Sequence, residues 1–189
     1  AITINSGTAT VTQANAYGAA TGGVVTATIS DTNIATLDDL TTANTDLLTI
    51  TVASTTAGAA QLTTVAGATG VNVTATAVET VTGTAAEVDA LLLVEGAGAT
   101  DVNLDDDYAI TINSGTATVT QANAYGTATG GVVTATISNT AVAELDGLTT
   151  ANTDLLSITM AAEAVTAAQL IIINGATGST IDAQAVTGI

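Results

Sequence analysis

Residues 1–18 read AITINSGTATVTQANAYG, and residues 109–126 read AITINSGTATVTQANAYG again. Extending the comparison, 43 of the 50 positions in residues 1–50 are identical in residues 109–158, at an offset of 108. Between 51–81 and 159–189 identity falls to 13 of 31. Even there Leu62 meets Leu170, Val65 meets Ile173, and Gly67-Ala68-Thr69-Gly70 recurs as Gly175-Ala176-Thr177-Gly178. The 189 residues therefore divide into a first super-repeat, 1–108, and a second, partial one, 109–189. Chains of this kind bury apolar surface by stacking neighbouring units instead of folding around one centre.

A shorter period, of 23, runs inside the super-repeat. It carries Thr3 to Thr26, Thr49 and Asn72, and it carries the apolar series Ile2, Val25, Leu48, Val71 and Ile4, Ala27, Ile50, Val73. Apolar and polar positions alternate, and β-branched Thr, Val and Ile suit a strand with one buried face. After each strand comes an i, i+3, i+6 apolar stripe: Val11, Ala14, Tyr17; Ile34, Leu37, Leu40; Ala59, Leu62, Val65; Ala85, Val88, Leu91. Each stripe predicts a short helix, with Asp31 or Thr32 as the cap before Ile34 and Thr84 before Ala85. Glycine closes most coils, at Gly22-Gly23, Gly67, Gly70, Gly96 and Gly98. The expected fold is an all-β-dominated solenoid of parallel β-helix-like coils that follow this period, each built as strand, short helix and glycine turn. Four such coils fall short of the offset of 108, and the surplus lies between Asn72 and Thr111. That surplus predicts one enlarged coil or an additional irregular one, with an acidic insertion near 95–108.

Thr (42) and Ala (39) dominate the composition, while Lys, Arg, His, Cys, Pro, Phe and Trp are absent. With 17 Asp and Glu unopposed, the formal charge is −17. Binding to nucleic acid or anionic lipid through charge is excluded, because both need Lys or Arg. Most enzyme chemistry goes too, for lack of imidazole, thiolate, lysine amine or cationic clamp, so no enzyme is expected. Charged residues are only 9% against 47% apolar, which favours folding over disorder. No apolar run approaches the length of a membrane span, so no membrane insertion is expected. The start at Ala1 without a basic signal region suggests a mature product or an interior piece.

Four segments carry a resemblance: VTATISD (25–31), NIATLDDLTTAN (33–44), GVNVTATAVETVTGTAAEVDAL (70–91) and GGVVTATISNTAVAELDGLT (130–149). They resemble the tandem Ala/Thr-rich repeats of giant bacterial cell-surface proteins, marine cyanobacterial ones above all. The resemblance implies an extracellular structural protein at the cell surface, in a filament, surface layer or fibre. Its implied partners are further copies of itself, assembled end to end or laterally, and glycans or the cell surface.

Candidate sites are few. Asp101, Asp105, Asp106 and Asp107 form an acidic cluster that could ligate Ca²⁺ through hard oxygens, although no EF-hand or nonapeptide calcium-roll spacing is present. A cation-dependent adhesin module is accordingly one alternative function. Asp31 with Asp38 and Asp39 is a weaker cluster, since its second copy reads Asn139, Asp146 and Gly147. Tyr17 and Tyr125 close an apolar stripe and read as packing residues. The outward pairs Thr26/Thr28, Thr49/Thr51, Thr74/Thr76 and Thr134/Thr136 form ladders similar to those of ice-binding solenoids, which makes ice binding a second alternative. Asn72-Val73-Thr74 is a glycosylation sequon.

Overall fold

Alternating Thr with Val, Ile or Leu makes parallel strands in this chain, and the apolar stripes make helices between them. The computed structural model describes residues 1–96 and 101–189, so Gly98 and part of the acidic stretch near 95–108 lie outside the described residues. The elements run β1 (Ile2–Thr3), α1 (Val11–Ala20), β2 (Val25–Thr28), α2 (Ile34–Leu37), β3 (Leu47–Thr51), β4 (Thr56–Gly58), α3 (Ala59–Gly67), β5 (Val73–Thr74), β6 (Thr80–Thr84) and α4 (Ala85–Leu92). There follow β7 (Val102–Asn103), β8 (Ala109–Ser114), α5 (Val119–Ala128), β9 (Val133–Thr136), α6 (Val142–Leu145), β10 (Leu155–Ser157) and α7 (Ala167–Gly175). The strands form two five-stranded parallel sheets, in the orders β1-β2-β3-β5-β7 and β10-β9-β8-β6-β4.

This is an α/β architecture, which corrects the expectation of an all-β-dominated, β-helix-like solenoid. Helix accounts for 29% of the chain and strand for 24%, so helix is the larger component, and no closed solenoid forms among the described residues. The reason is that Thr-x-Thr alternation outruns pairing. Only a short part of each run finds a neighbouring strand, as little as Ile2–Thr3 or Val73–Thr74, while every apolar stripe becomes a helix. Three helices begin with the same reciprocal cap. In α1, Gln13 N donates to Thr10 Oγ1 at 3.2 Å and Thr10 N donates to Gln13 Oε1 at 2.9 Å. Thr118 with Gln121 and Thr166 with Gln169 repeat it at α5 and α7. The cap of α2 is Asn33 and not Asp31 or Thr32, because the Asn33 side chain accepts from Ala35 N at 2.9 Å.

The constant period also needs correction. Ile2 pairs with Val25 and Ile50 with Val73, as the period requires, but Thr26 pairs with Leu47, two positions short of it, and Val73 with Val102, six beyond it. These steps differ by even numbers, so every inward side chain stays inward. The slip alters the outer face, where Leu47 stands beside Thr26 and Thr28 beside Thr49. The Thr columns are therefore interrupted, and Leu155 does the same beside Thr134.

The chain forms two contact units, Ala1–Val81 with Glu87–Asp105, and Thr82–Ala86 with Asp106–Ile189. In the first, Val25, Ala27, Leu48, Ile50, Val73 and Val102 are buried from the strands, together with Ala14, Leu37, Leu62 and Val65 from the helices. In the second, Ile110, Val133, Ala135 and Leu156 are buried from the strands, with Ile158 just past β10, together with Ala122, Leu145 and Ile173 from the helices. The Tyr125 ring is fully buried there and its hydroxyl donates to Ala85 O at 3.0 Å, which satisfies the one polar atom that burial would strand. Each fully buried Val, Leu or Ile contributes about 1.5–3 kcal/mol.

Glycine is required where turns press together. A Cβ on Gly70 would lie 2.6 Å from Asn44 O, and one on Gly178 equally close to Asn152 O. Gly67, the last residue of α3, has open space around it. Gly70→Ala should therefore lower unfolding free energy by about 1–3 kcal/mol. Gly67→Ala should raise it by about 0.5–1 kcal/mol. Urea denaturation of the two variants checks both signs.

Candidate functional site

Six polar side chains are buried among the described residues: Asp46, Thr69, Asp101, Thr129, Asp154 and Thr177. Two of them organise the first unit. Asp46, just before β3, accepts from Val25 N at 2.6 Å through Oδ1 and from Ala43 N at 3.0 Å through Oδ2. Thr69, just after α3, accepts from Leu48 N at 3.0 Å and donates to Leu48 O at 2.9 Å. Gly70 N donates to Asp46 O at 2.6 Å, so the two side chains tie three successive turns into one column. Asn15 adds a bridge on the surface. Its Nδ2 donates to Asp39 O and its Oδ1 accepts from Thr41 N, both at 2.8 Å.

The second unit repeats this network. Asp154 accepts from Val133 N at 2.8 Å and from Ala151 N at 2.9 Å. Thr177 accepts from Leu156 N at 3.0 Å and donates to Leu156 O at 3.1 Å, while Gly178 N reaches Asp154 O at 2.7 Å. Asn123 bridges Gly147 O and Thr149 N at 2.8 Å each. Thr129 has the same role one turn earlier, donating to Tyr108 O and accepting from Gly131 N at 3.0 Å.

Helix starts receive the same treatment. Val11 N donates to Asp31 Oδ2 at 2.7 Å, Ile34 N to Ser54 Oγ at 3.0 Å, and Val142 N to Glu163 Oε1 at 2.6 Å. Each acceptor comes from the following turn of the chain, 20 or 21 positions further on. Helix-initial N–H groups have no partner within the helix, and a carboxylate there also meets the positive end of the helix dipole.

The acidic residues singled out from the sequence lie apart in role. Asp101 is buried, its N–H donates to Asn72 Oδ1 at 3.4 Å and its carbonyl accepts from Val73 N at 2.8 Å. Asp105, Asp106 and Asp107 are exposed, and Asp106 O accepts from Gly130 N at 2.7 Å. Among the described residues, no three Asp or Glu are placed to hold a metal ion together. Asp31 acts at the α1 start, and Asp38 lies 3.5 Å from Gln61 Nε2, which gives both a structural partner. Asp146 differs from its counterpart Asp38 in having a buried Oδ1 that accepts no hydrogen bond among the described residues. No helix among the described residues is long and apolar enough to cross a membrane. No protein-family model, curated protein or solved structure matches the chain.

Sequence reasoning singled out none of Asp46, Thr69, Asp154 or Thr177 as special. The available signal was the survival of Gly-Ala-Thr-Gly at 67–70 and 175–178 through otherwise diverged copies. Thr69→Val keeps the shape, removes the hydroxyl and leaves Leu48 N without its acceptor, so a loss of about 1–3 kcal/mol is expected. Thr64→Val, at an exposed position of α3, should change stability by less than about 0.5 kcal/mol. Thermal and denaturant melts of both variants make the comparison.

Proposed function

We propose that this chain is a structural repeat protein of the cell exterior, built to be extended into a filament, surface layer or fibre. The observation that carries the reading is that both units repeat one hydrogen-bond network position for position, with buried polar side chains engaged in joining turns. Asp46 and Asp154, Thr69 and Thr177, and Asn15 and Asn123 are each matched in partners and geometry. Such a network suits addition of further units, since each turn offers to the one before it the same kind of acceptors that it receives from the one after. The resemblance to tandem repeats of giant bacterial surface proteins supports the same role, and a surface of unopposed carboxylates suits a chain kept in water.

A cation-dependent adhesive module is the alternative, favoured by the exposure of three consecutive carboxylates at Asp105, Asp106 and Asp107. Millimolar Ca²⁺ compared with Na⁺ at matched ionic strength distinguishes them. A rise in melting temperature specific to Ca²⁺, and lost in Asp105→Asn and Asp106→Asn, would favour the adhesive module.

Self-assembly is the direct test of the structural reading. With a formal charge of −17, copies repel at low salt, so association should strengthen as salt rises. Light scattering and electron microscopy of the 189-residue chain at high concentration should reveal long thin fibres or sheets of them. A monomer that melts sharply at every concentration and salt would contradict the proposal.

A further inference from the structure

We propose that the outer face of the first unit's sheet is a self-association surface, which pairs with the same face of a second copy of this chain through Leu47 and the threonines around it. The inner face of that sheet is buried at Val25, Leu48, Ile50 and Val73. The outer face is bare: Val24 is 36% and Leu47 43% exposed, and Thr28, Thr49, Thr51 and Thr74 are exposed with them. β3 has β2 on one side and β5 on the other, so this exposure belongs to the face of the sheet and not to an edge or an end. The second unit carries the same surface. Leu155 is 47% exposed beside Thr134, and Thr136 and Ser157 are exposed too. An outward leucine among hydroxyl side chains is thus kept in both copies.

Charge selects the occupant. The formal charge is −17, yet none of the 17 carboxylates lies in any of the strands β1 to β10. They stand in helices, turns and loops, so the strands are neutral in an anionic chain. A cationic partner finds no carboxylate to hold on such a face. A second copy is repelled wherever carboxylates confront each other, and it approaches closely only where both surfaces are neutral. There it brings the identical Leu and Thr surface. A two-fold axis makes that pairing closed and self-complementary, and two sheets pack face to face about 10 Å apart with their side chains interdigitated.

Area sets the strength. Five strands about 4.8 Å apart, each with two or three outward residues, present on the order of 300 Å². A stable dimer buries roughly 800 Å² per partner, so one pair of faces holds weakly and reversibly. Contacts of this size add up along a chain that carries many units. The inference therefore rests on the structural-repeat reading and deepens it by naming the lateral contact, but its test does not require fibres.

The experiment is sedimentation equilibrium of the 189-residue chain at about 1 mM and in about 1 M NaCl, where the screening length is about 3 Å. A reversible dimer is expected. Leu47→Asp should weaken it at least about tenfold, since each copy then brings a charge to the contact, whereas Thr64→Asp on α3 should leave it unchanged. Leu47 and Thr64 are both exposed, so neither replacement removes core packing, and melts of both variants check the fold. The chain has no cysteine, so Thr49→Cys, in the middle of β3, reads proximity directly. Its oxidation should give disulfide dimers at least about tenfold faster than that of Thr64→Cys. A monomer under these conditions, a dimer that Leu47→Asp leaves intact, or equal cross-linking of the two cysteine variants would overturn the proposal. A chain that stays monomeric and shapes growing ice crystals would assign the Thr face to ice and overturn it equally. Fibres formed by Leu47→Asp as readily as by the native chain would overturn the face and leave the filament reading standing, and Leu47-dependent dimers without fibres would do the reverse.

Discussion

A protein without Lys, Arg or His has no side-chain cation to set against a carboxylate. Its backbone N–H groups are the main source of positive charge, and the architecture follows from where the carboxylates find them. Asp46 and Asp154 are buried, yet each accepts two backbone N–H groups. Hydrogen bonds to an ionised acceptor are stronger than neutral ones and offset part of the lost hydration. Because the donors belong to neighbouring turns, satisfying a buried charge and fixing the stacking of turns are one event. Asp105, Asp106 and Asp107, by contrast, are exposed to water.

Comparison of the two copies separates what the network needs from what it tolerates. The acceptor for the first helical N–H is Asp31 in one copy and Asn139 in the other, and for the next helix Ser54 and then Glu163. An oxygen at that place is required, whereas its charge is not. Asp46 and Thr69, by contrast, are unchanged as Asp154 and Thr177. They stand inside the column, where two donors or a donor and an acceptor must be met at once, and few side chains do both. A neutral amide in place of Asp46 would turn one of its ends into a donor facing a donor.

Much of this was legible before the structure. Identical stretches at 1–18 and 109–126 mark the duplication, and the stripes at Val11, Ile34, Ala59 and Ala85 mark where helices begin. The balance between helix and strand was not legible, because alternation such as Val71 to Ala77 continues through residues that turn instead of pairing. Nor was the two-position slip at Leu47, since a shift by an even number leaves the apolar pattern intact. Buried Asp46 and Thr69 look like loop residues in sequence; only the fold brings Val25 N and Leu48 N to them. The acidic stretch reads in sequence as three adjacent carboxylates at Asp105, Asp106 and Asp107; the fold leaves them exposed, and among the described residues no three Asp or Glu are placed to hold a metal ion together.

The central claim is that side-chain oxygens of Asp46, Thr69, Asp154 and Thr177 close the stacking of turns as firmly as main-chain pairing does. Native-state hydrogen exchange, read residue by residue, tests it most directly. The amides of Val25, Leu48, Val133 and Leu156, whose acceptors are those four side chains, should be protected as strongly as those of Val73 and Ile110, whose acceptors are carbonyls. Exchange of the four at the rate of the exposed Asp106–Asp107 turn would contradict the account, for the column would then be held by apolar burial alone.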